Sequence, residues 1–389
     1  MKRFIRRLAK DLTLGMLFPR LYRRYARRPI ERGLTVFFET KEQQMPGSFD
    51  LLFRRISEDP GKRAEYVTLA RNFVSLPQYY RNCIAALKRL AVAETVFLDD
   101  ASDLVSCVPL REETCVVQLW HACGAFKKWG VSTAELKFGN TLEDIRRHPF
   151  YGNLLLVTVS SPEVAWAYVE AMDLAEREDI VQPLGVSRTD IFFDPEFVAG
   201  ARDRVDEAFP PARGKKVVLY APTFRGETGS AAGPDRLDIA AMNRALGGEW
   251  ALLIKHHPFV KHPAPIPEGC EDFAYLVQGD LGIDELLCAA DACISDYSSI
   301  VFEYSLFERP MIFFAYDLDD YDDWRGFYYS YDEFTPGPVV TTSEEVVDYL
   351  AHVDERFDRT QVAAFREKFM SACDGHATER VMKWVEDVR

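Results

Sequence analysis

The sequence predicts an α/β protein made of two Rossmann-like halves. Short runs rich in β-branched and aromatic residues alternate with helix-patterned segments along most of the 389 residues. Those runs are apolar on both faces, as strands of a parallel sheet covered on both sides must be. They also fall into two series, one on each side of residue 200 or so.

The chain opens with a basic segment. Overall the formal charge is −14, yet residues 1–32 carry eleven Lys and Arg against Asp11 and Glu31, a net of +9 that leaves −23 on the remainder. Phe4, Ile5, Leu8 and Leu12 share one helical face, with Lys2, Arg3, Arg6, Arg7 and Lys10 opposite. Pro19 interrupts the pattern, which resumes with Phe18, Leu21, Tyr22 and Tyr25 against Arg20, Arg23, Arg24, Arg27 and Arg28. No apolar run is long enough for a signal-peptide core or a membrane span. The spacing predicts amphipathic helices that lie on an anionic membrane surface; packing of the same helices on the body is the alternative. The acidic remainder argues against nucleic-acid binding.

The first strand series is "LTVFFET" from 34, "ETVFLDD" from 94, "TCVVQLWHA" from 114 and "NLLLVTVSS" from 153. The second is "KKVVLYAPTF" from 215, "EWALLIKHHP" from 249, "ACISDYSS" from 292 and "PMIFFAY" from 310. Helical patterns are read at 60–74, 162–176 and 236–246. The stretch "FFDPEFVAGARD" before "PPARGKK" is the expected linker, so the segments are 1–32, a first domain 33–198 and a second domain 199–389. "RGETGSAAGPD", 225–235, is expected to be a loop. The eight cysteines contain no C-x-x-C pair, which reads as buried, reduced thiols and not as a disulfide or zinc framework. Neither half opens with G-x-G-x-x-G, so the dinucleotide fingerprint is absent.

In such sheets ligands sit at the carboxyl ends of the strands. Polar residues recur there: His121 after "CVVQLW", Pro222, Thr223 and Arg225 after "VVLYA", Lys255, His256 and His257 after "ALLI", and Asp296, Ser298 and Ser299 after "ACIS". Hydroxyls, cations and imidazoles at four strand ends suit a phosphate-bearing ligand. In "SDYSSIVFE" the two serines fall where a helix begins, a place for an N-cap, for an anion, or for both. The D-x-D within 317–323 is read as a hydrogen-bonding loop, and the histidines show no metal-ligand spacing. No metal and no cofactor are therefore expected.

These residues together resemble the CDP-glycerol glycerophosphotransferase family, the primases and polymerases of teichoic acids. The resemblance runs in order from "ETVFLDD" to "GPVVTTSEEVVDYL" through "WHACGAFKKWG", "LGVSRTDIFF", "YAPTFRG", "KHHP", "SDYSSIVFE" and "RPMIFFAYDLDDYDDWRGFYYSYDEFTPGP". It implies a GT-B fold, two Rossmann-like domains facing a central cleft, with the acceptor on the first domain and a CDP-alcohol on the second. It implies glycerol phosphate transfer from CDP-glycerol to a hydroxyl of a lipid-linked acceptor at the cytoplasmic membrane face, with release of CMP. CDP-ribitol and a nucleotide sugar are the alternative donors.

By the same resemblance His121 matches the histidine before the basic pair and His257 the histidine of R-x-H-P; these are the expected catalytic residues. Arg188, Thr223, Lys255, Ser298, Ser299 and Glu303 match substrate-binding positions, joined by Lys127, Pro222, Arg225, His256 and Asp296. Where the family has H-G-T-P-L, this chain has Ala122, Cys123, Gly124 and Ala125 after His121, so the loop expected to approach the donor is altered.

Overall fold

A computed structural model describes the whole chain apart from residues 1, 135, 137–140, 227–230, 235, 280, 319–325 and 389, and apart from the side chains of 2–6. The chain divides into two compact units: Met1–Ala122 with Trp129–Asp190 and Ala372–Arg389, and Cys123–Lys128 with Ile191–Ser371. Each is built on a six-stranded parallel sheet.

In the first unit the strands are β1 (Leu34–Glu39), β2 (Arg63–Thr68), β3 (Thr95–Leu98), β4 (Cys115–Gln118), β5 (Leu156–Thr158) and β6 (Val181–Gln182). Their order is β2-β1-β3-β4-β5-β6. The order reverses between β1 and β3, and the carboxyl ends there are where side chains can converge on a ligand. One face of the sheet buries Phe37, Phe97, Val117 and Leu156 against Phe49 and Leu52.

In the second unit the strands are β7 (Lys216–Tyr220), β8 (Trp250–Ile254), β9 (Ala274–Leu276), β10 (Ala292–Ser295), β11 (Met311–Phe314) and β12 (Val339–Val340), in the order β12-β11-β10-β7-β8-β9. Val218, Leu252, Ile294 and Ile312 form one buried face with Trp250 and Phe273.

Three expectations change. The region 60–74 holds β2 instead of a helix. Tyr66, Leu69, Ala70 and Phe73 imitate a helical stripe, but Ala64 and Tyr66 pack on the core at strand period two and Ala70 takes a positive φ of 49°. The unit boundary falls at Ile191, inside the first domain as read from the sequence, and Cys123–Lys128 belongs to the second unit. The C-terminal helix Ala377–Asp387 returns to the first unit because Val381 and Val385 are buried in its core.

The N-terminus is helical from Lys2 to Tyr25: α1 (Lys2–Leu12), a π-helical turn at Thr13–Leu17, and α2 (Phe18–Tyr25), with Pro19 tolerated in the first turn of α2. Its apolar residues split. Leu14, Phe18 and Tyr22 are buried in the first unit, so Phe18 and Tyr22 belong to the body and not to a membrane face. Leu8, Leu12, Met16 and Leu17 stay about half exposed, and Arg20, Arg23, Arg24 and Arg27 are exposed beyond them. Among the described residues no helix is long and apolar enough to cross a membrane. None of the eight cysteines forms a disulfide.

Candidate functional site

In the first unit the site begins where β4 ends. Trp120 takes a left-handed backbone, φ 61°, which a bulky residue adopts only when its surroundings impose it. Those surroundings are aromatic: Trp120 stacks on Trp129 at 4.2 Å and meets Tyr168 edge-on, while the Tyr168 hydroxyl donates to the Ala122 carbonyl at 3.2 Å. The turn delivers the next side chain, His121, to the surface, stacked on Trp120 at 4.5 Å. Its Nδ1 lies 3.1 Å from the Asp99 carbonyl oxygen. A carbonyl can only accept, so Nδ1 carries the proton and the neutral ring keeps Nε2 as a base. Arg188 donates to the His121 carbonyl at 3.4 Å.

In the second unit the segment 123–128 is fixed on both sides. Gly124 has φ 63°, and a Cβ there would lie 2.4 Å from Phe302 ring carbons, so no other residue fits. Phe126 stacks on Phe334 at 4.5 Å. Lys127 forms an isolated antiparallel bridge with Phe327, and the Lys128 N–H donates to Gly326. Cys123 and Ala125 are buried. Held this way, the Lys127 ammonium reaches the Thr223 hydroxyl at 3.4 Å.

Near this pair sits His257. Burial, and then the Lys127 charge, push its imidazole below the usual value. Its Nδ1 accepts from the Phe259 N–H at 3.2 Å, so the neutral ring carries its proton on Nε2 and can donate it. Lys255, also lowered by burial, donates to the Leu281 carbonyl at 3.0 Å. The His256 ring packs over Gly233. Thus Lys127, Thr223 and His257 come together, while Lys255 and His256 are engaged elsewhere.

Under this group lies a buried network. Asp296, 2% exposed, accepts from the Thr223 N–H at 2.8 Å and from Arg225 at 3.0 Å, and its carbonyl accepts from the Tyr331 hydroxyl at 2.9 Å. Arg225 also grips Asp317 with two bonds of 2.7 and 2.9 Å, and Tyr297 donates to Asp317 at 2.9 Å. Burial works against the Asp317 charge, but the Arg225 guanidinium prevails and holds the carboxyl below its usual range. Arg225 and Asp296 therefore tie the loop after β7 to the turn after β10. Pro222, buried, lies within that loop. Ser299 stands at the N-cap of the helix Ile300–Ser305 without a side-chain cap bond, and the Ser298 hydroxyl accepts from the Ile300 N–H at 3.4 Å. Glu303 is buried in that helix.

Sequence reasoning missed Asp99, Tyr297 and Tyr331, whose partners His121, Asp317 and Asp296 are brought to them only by the fold. Asp317 was legible as a hydrogen-bonding residue; positions 319–323 of the same acidic run, and 227–230 and 235 of the small-residue loop, lie outside the described residues.

The family described as CDP-Glycerol:Poly(glycerophosphate) glycerophosphotransferase matches residues 20–387. The chain belongs to this family. It is a transferase of the teichoic acid primase and polymerase kind. It is 31% identical over 389 residues to a teichoic acid ribitol-phosphate primase of Bacillus spizizenii, covering 99% of this chain and 98% of that protein. It is 33% identical to a teichoic acid poly(ribitol-phosphate) polymerase of the same organism, over 98% of this chain but 60% of that longer protein. The fold matches the solved wall teichoic acid polymerase TagF with a TM-score of 0.75 at 20% identity, covering 100% of this chain and 97% of the other. The fold is thus of the GT-B class expected from the sequence.

Proposed function

We propose that this protein transfers a polyol phosphate from a CDP-polyol to a hydroxyl of a lipid-linked acceptor at a membrane surface, releasing CMP. The observation that carries the reading is the state of His121: its Nδ1–H is held by a carbonyl, which leaves Nε2 to receive a proton. The acceptor hydroxyl gives its proton to Nε2 as its oxygen bonds to the β-phosphorus. The bond from that phosphorus to the bridging oxygen breaks, and CMP leaves with the electron pair. Phosphoryl transfer needs positioning and charge stabilisation more than covalent help. Lys127 and the Nε2–H of His257 are suited to the charge that develops on the diphosphate, and Arg188, Ser298 and Ser299 are the further phosphate contacts implied by the family pattern; Lys255, which the pattern also implies, is directed to the Leu281 carbonyl. The first unit is assigned to the acceptor and the second to the donor.

Two polyols fit. The family description favours CDP-glycerol, whereas near-complete coverage of a ribitol-phosphate primase favours CDP-ribitol. Calorimetry with CMP, CDP-glycerol, CDP-ribitol and a UDP-sugar separates them. The reading expects CMP and one CDP-polyol to bind; tight binding of the UDP-sugar alone would replace it with a nucleotide-sugar reaction. The half-exposed Leu8, Leu12, Met16 and Leu17, with the arginines that follow, support docking of the N-terminal helix on an anionic membrane.

A further inference from the structure

His121 rests on a buried acidic pair. One residue beyond the paired Phe38 and Leu98 stand Glu39, at the end of β1, and Asp99, after β3. Both are buried, 1% and 7% exposed, and side by side on the sheet. They are handled differently. The Asp99 carboxylate accepts from the Ser48 hydroxyl, at the start of the helix α3 (Gly47–Ser57), where the helix dipole favours an anion. Glu39 accepts from the Lys41 and Glu42 N–H groups through one oxygen, while its other oxygen, Oε2, has no hydrogen-bond partner among the described residues.

We propose that Asp99 is the positioning residue of the base: its carbonyl fixes the His121 tautomer, and its carboxylate balances the imidazolium formed when His121 takes the acceptor proton, whereas Glu39 beside it does not act on the ring. This rests on the reading of His121 as the base. The groups around the pair fit. Burial raises the Asp99 carboxyl, and the charges of His121 and Arg188 and the Ser48 bond oppose that rise, while Asp100 adds to it. Burial also raises Glu39; the Lys41 and Glu42 N–H bonds oppose that rise, and the charges of Asp99 and Asp100 add to it. On the neighbouring strand the Tyr66 phenol, pushed up to about 12 by burial and then by nearby carboxylates, stays neutral. Lys41 pairs with Asp100 at the rim.

The experiment follows the His121 ring by NMR in the full chain, without substrate, in wild type and in Asp99→Asn, Glu39→Gln and Ser48→Ala, and then the pH profile of CMP release. Loss of the Asp99 charge should move the His121 ring titration in the variant to lower pH than in wild type, because the imidazolium loses its nearby counter-charge. The acidic limb of the rate profile should move to lower pH by the same amount, because a weaker base is free at lower pH, and the plateau rate should fall about tenfold. Ser48→Ala should shift the ring in the same direction by less, and serves if Asp99→Asn does not fold. Glu39→Gln should leave the ring titration in place. An unmoved His121 in both Asp99→Asn and Ser48→Ala, or an equal shift in Glu39→Gln, would overturn the assignment. The ring titration needs no donor, so absence of turnover in wild type would count against the proposed reaction and not against this pair.

Discussion

Substitution of Gly124 by alanine tests how the loop after His121 is held. The added Cβ would meet three Phe302 ring carbons at 2.4 to 2.5 Å, inside any real contact distance, and would have to hold φ 63°. The left-handed backbone costs about 1–2 kcal/mol for a residue with a Cβ. Forcing a group into a packed core costs about 1–3 kcal/mol more. Together these predict roughly 2–5 kcal/mol lost if the loop stays in place. The alternative is that the loop lifts, and then Lys127 leaves Thr223. Chemical denaturation and CMP release measured on the same samples separate the two: a large stability loss with modest rate loss means the loop stays, and a small stability loss with a rate drop of about a hundredfold means it lifts. The added variant Phe302→Leu should restore part of the steric loss and none of the backbone loss. Wild-type stability and turnover in Gly124→Ala would refute the account of this loop.

Three more outcomes are expected. Arg225→Met leaves the buried Asp296 and the partly exposed Asp317 without their cation, which should lower stability at pH 7 by about 3 kcal/mol, the lower end of the cost of breaking a buried pair. Asp317 is held below its usual 3.8 in the native state, so its pairing contributes fully above that pH and is lost only as pH falls below it; denaturation at pH 7 and at about pH 3 should show the gap narrowing. Burial and Lys127 lower His257, so calorimetric affinity for the CDP-polyol should be flat from pH 8 to about 7.5, a unit above the ordinary imidazole value, and should fall by about tenfold or more in His257→Ala, the loss of one charge-assisted bond. Leu8→Ser with Leu12→Ser and Met16→Ser should weaken co-sedimentation with anionic vesicles and leave the melting temperature unchanged, whereas Tyr22→Ala should cost about 3–5 kcal/mol of stability because that ring is in the core.

The eight strands legible in the sequence are the four central strands of each sheet, and the four that were missed, β2, β6, β9 and β12, are the four edges. Central parallel strands are buried on both faces and read as unbroken apolar runs; edge strands here are two to six residues long and partly exposed, so they carry little pattern. The N-terminal helix was legible as amphipathic, but sequence could not say that Phe18 and Tyr22 face the body while Leu8 and Leu12 do not. At the site, strand-end residues such as His121 and Thr223 announce themselves by chemistry at an abrupt end of apolar sequence. Asp99 does not, since its meaning comes from Ser48, 51 residues earlier, and from the turn at Trp120. Arg225 reads as a ligand contact from spacing, yet in the fold its charge is directed to two carboxylates.

The most direct test of the central claim is release of labelled CMP from CDP-ribitol and CDP-glycerol in the presence of a lipid-linked acceptor, comparing wild type with His121→Ala. Wild type should release CMP from one of the two in an acceptor-dependent manner, and His121→Ala should lose at least a hundredfold, about the contribution of a general base, while still binding that donor by calorimetry. Turnover by His121→Ala within threefold of wild type would contradict the assignment of His121 as the base.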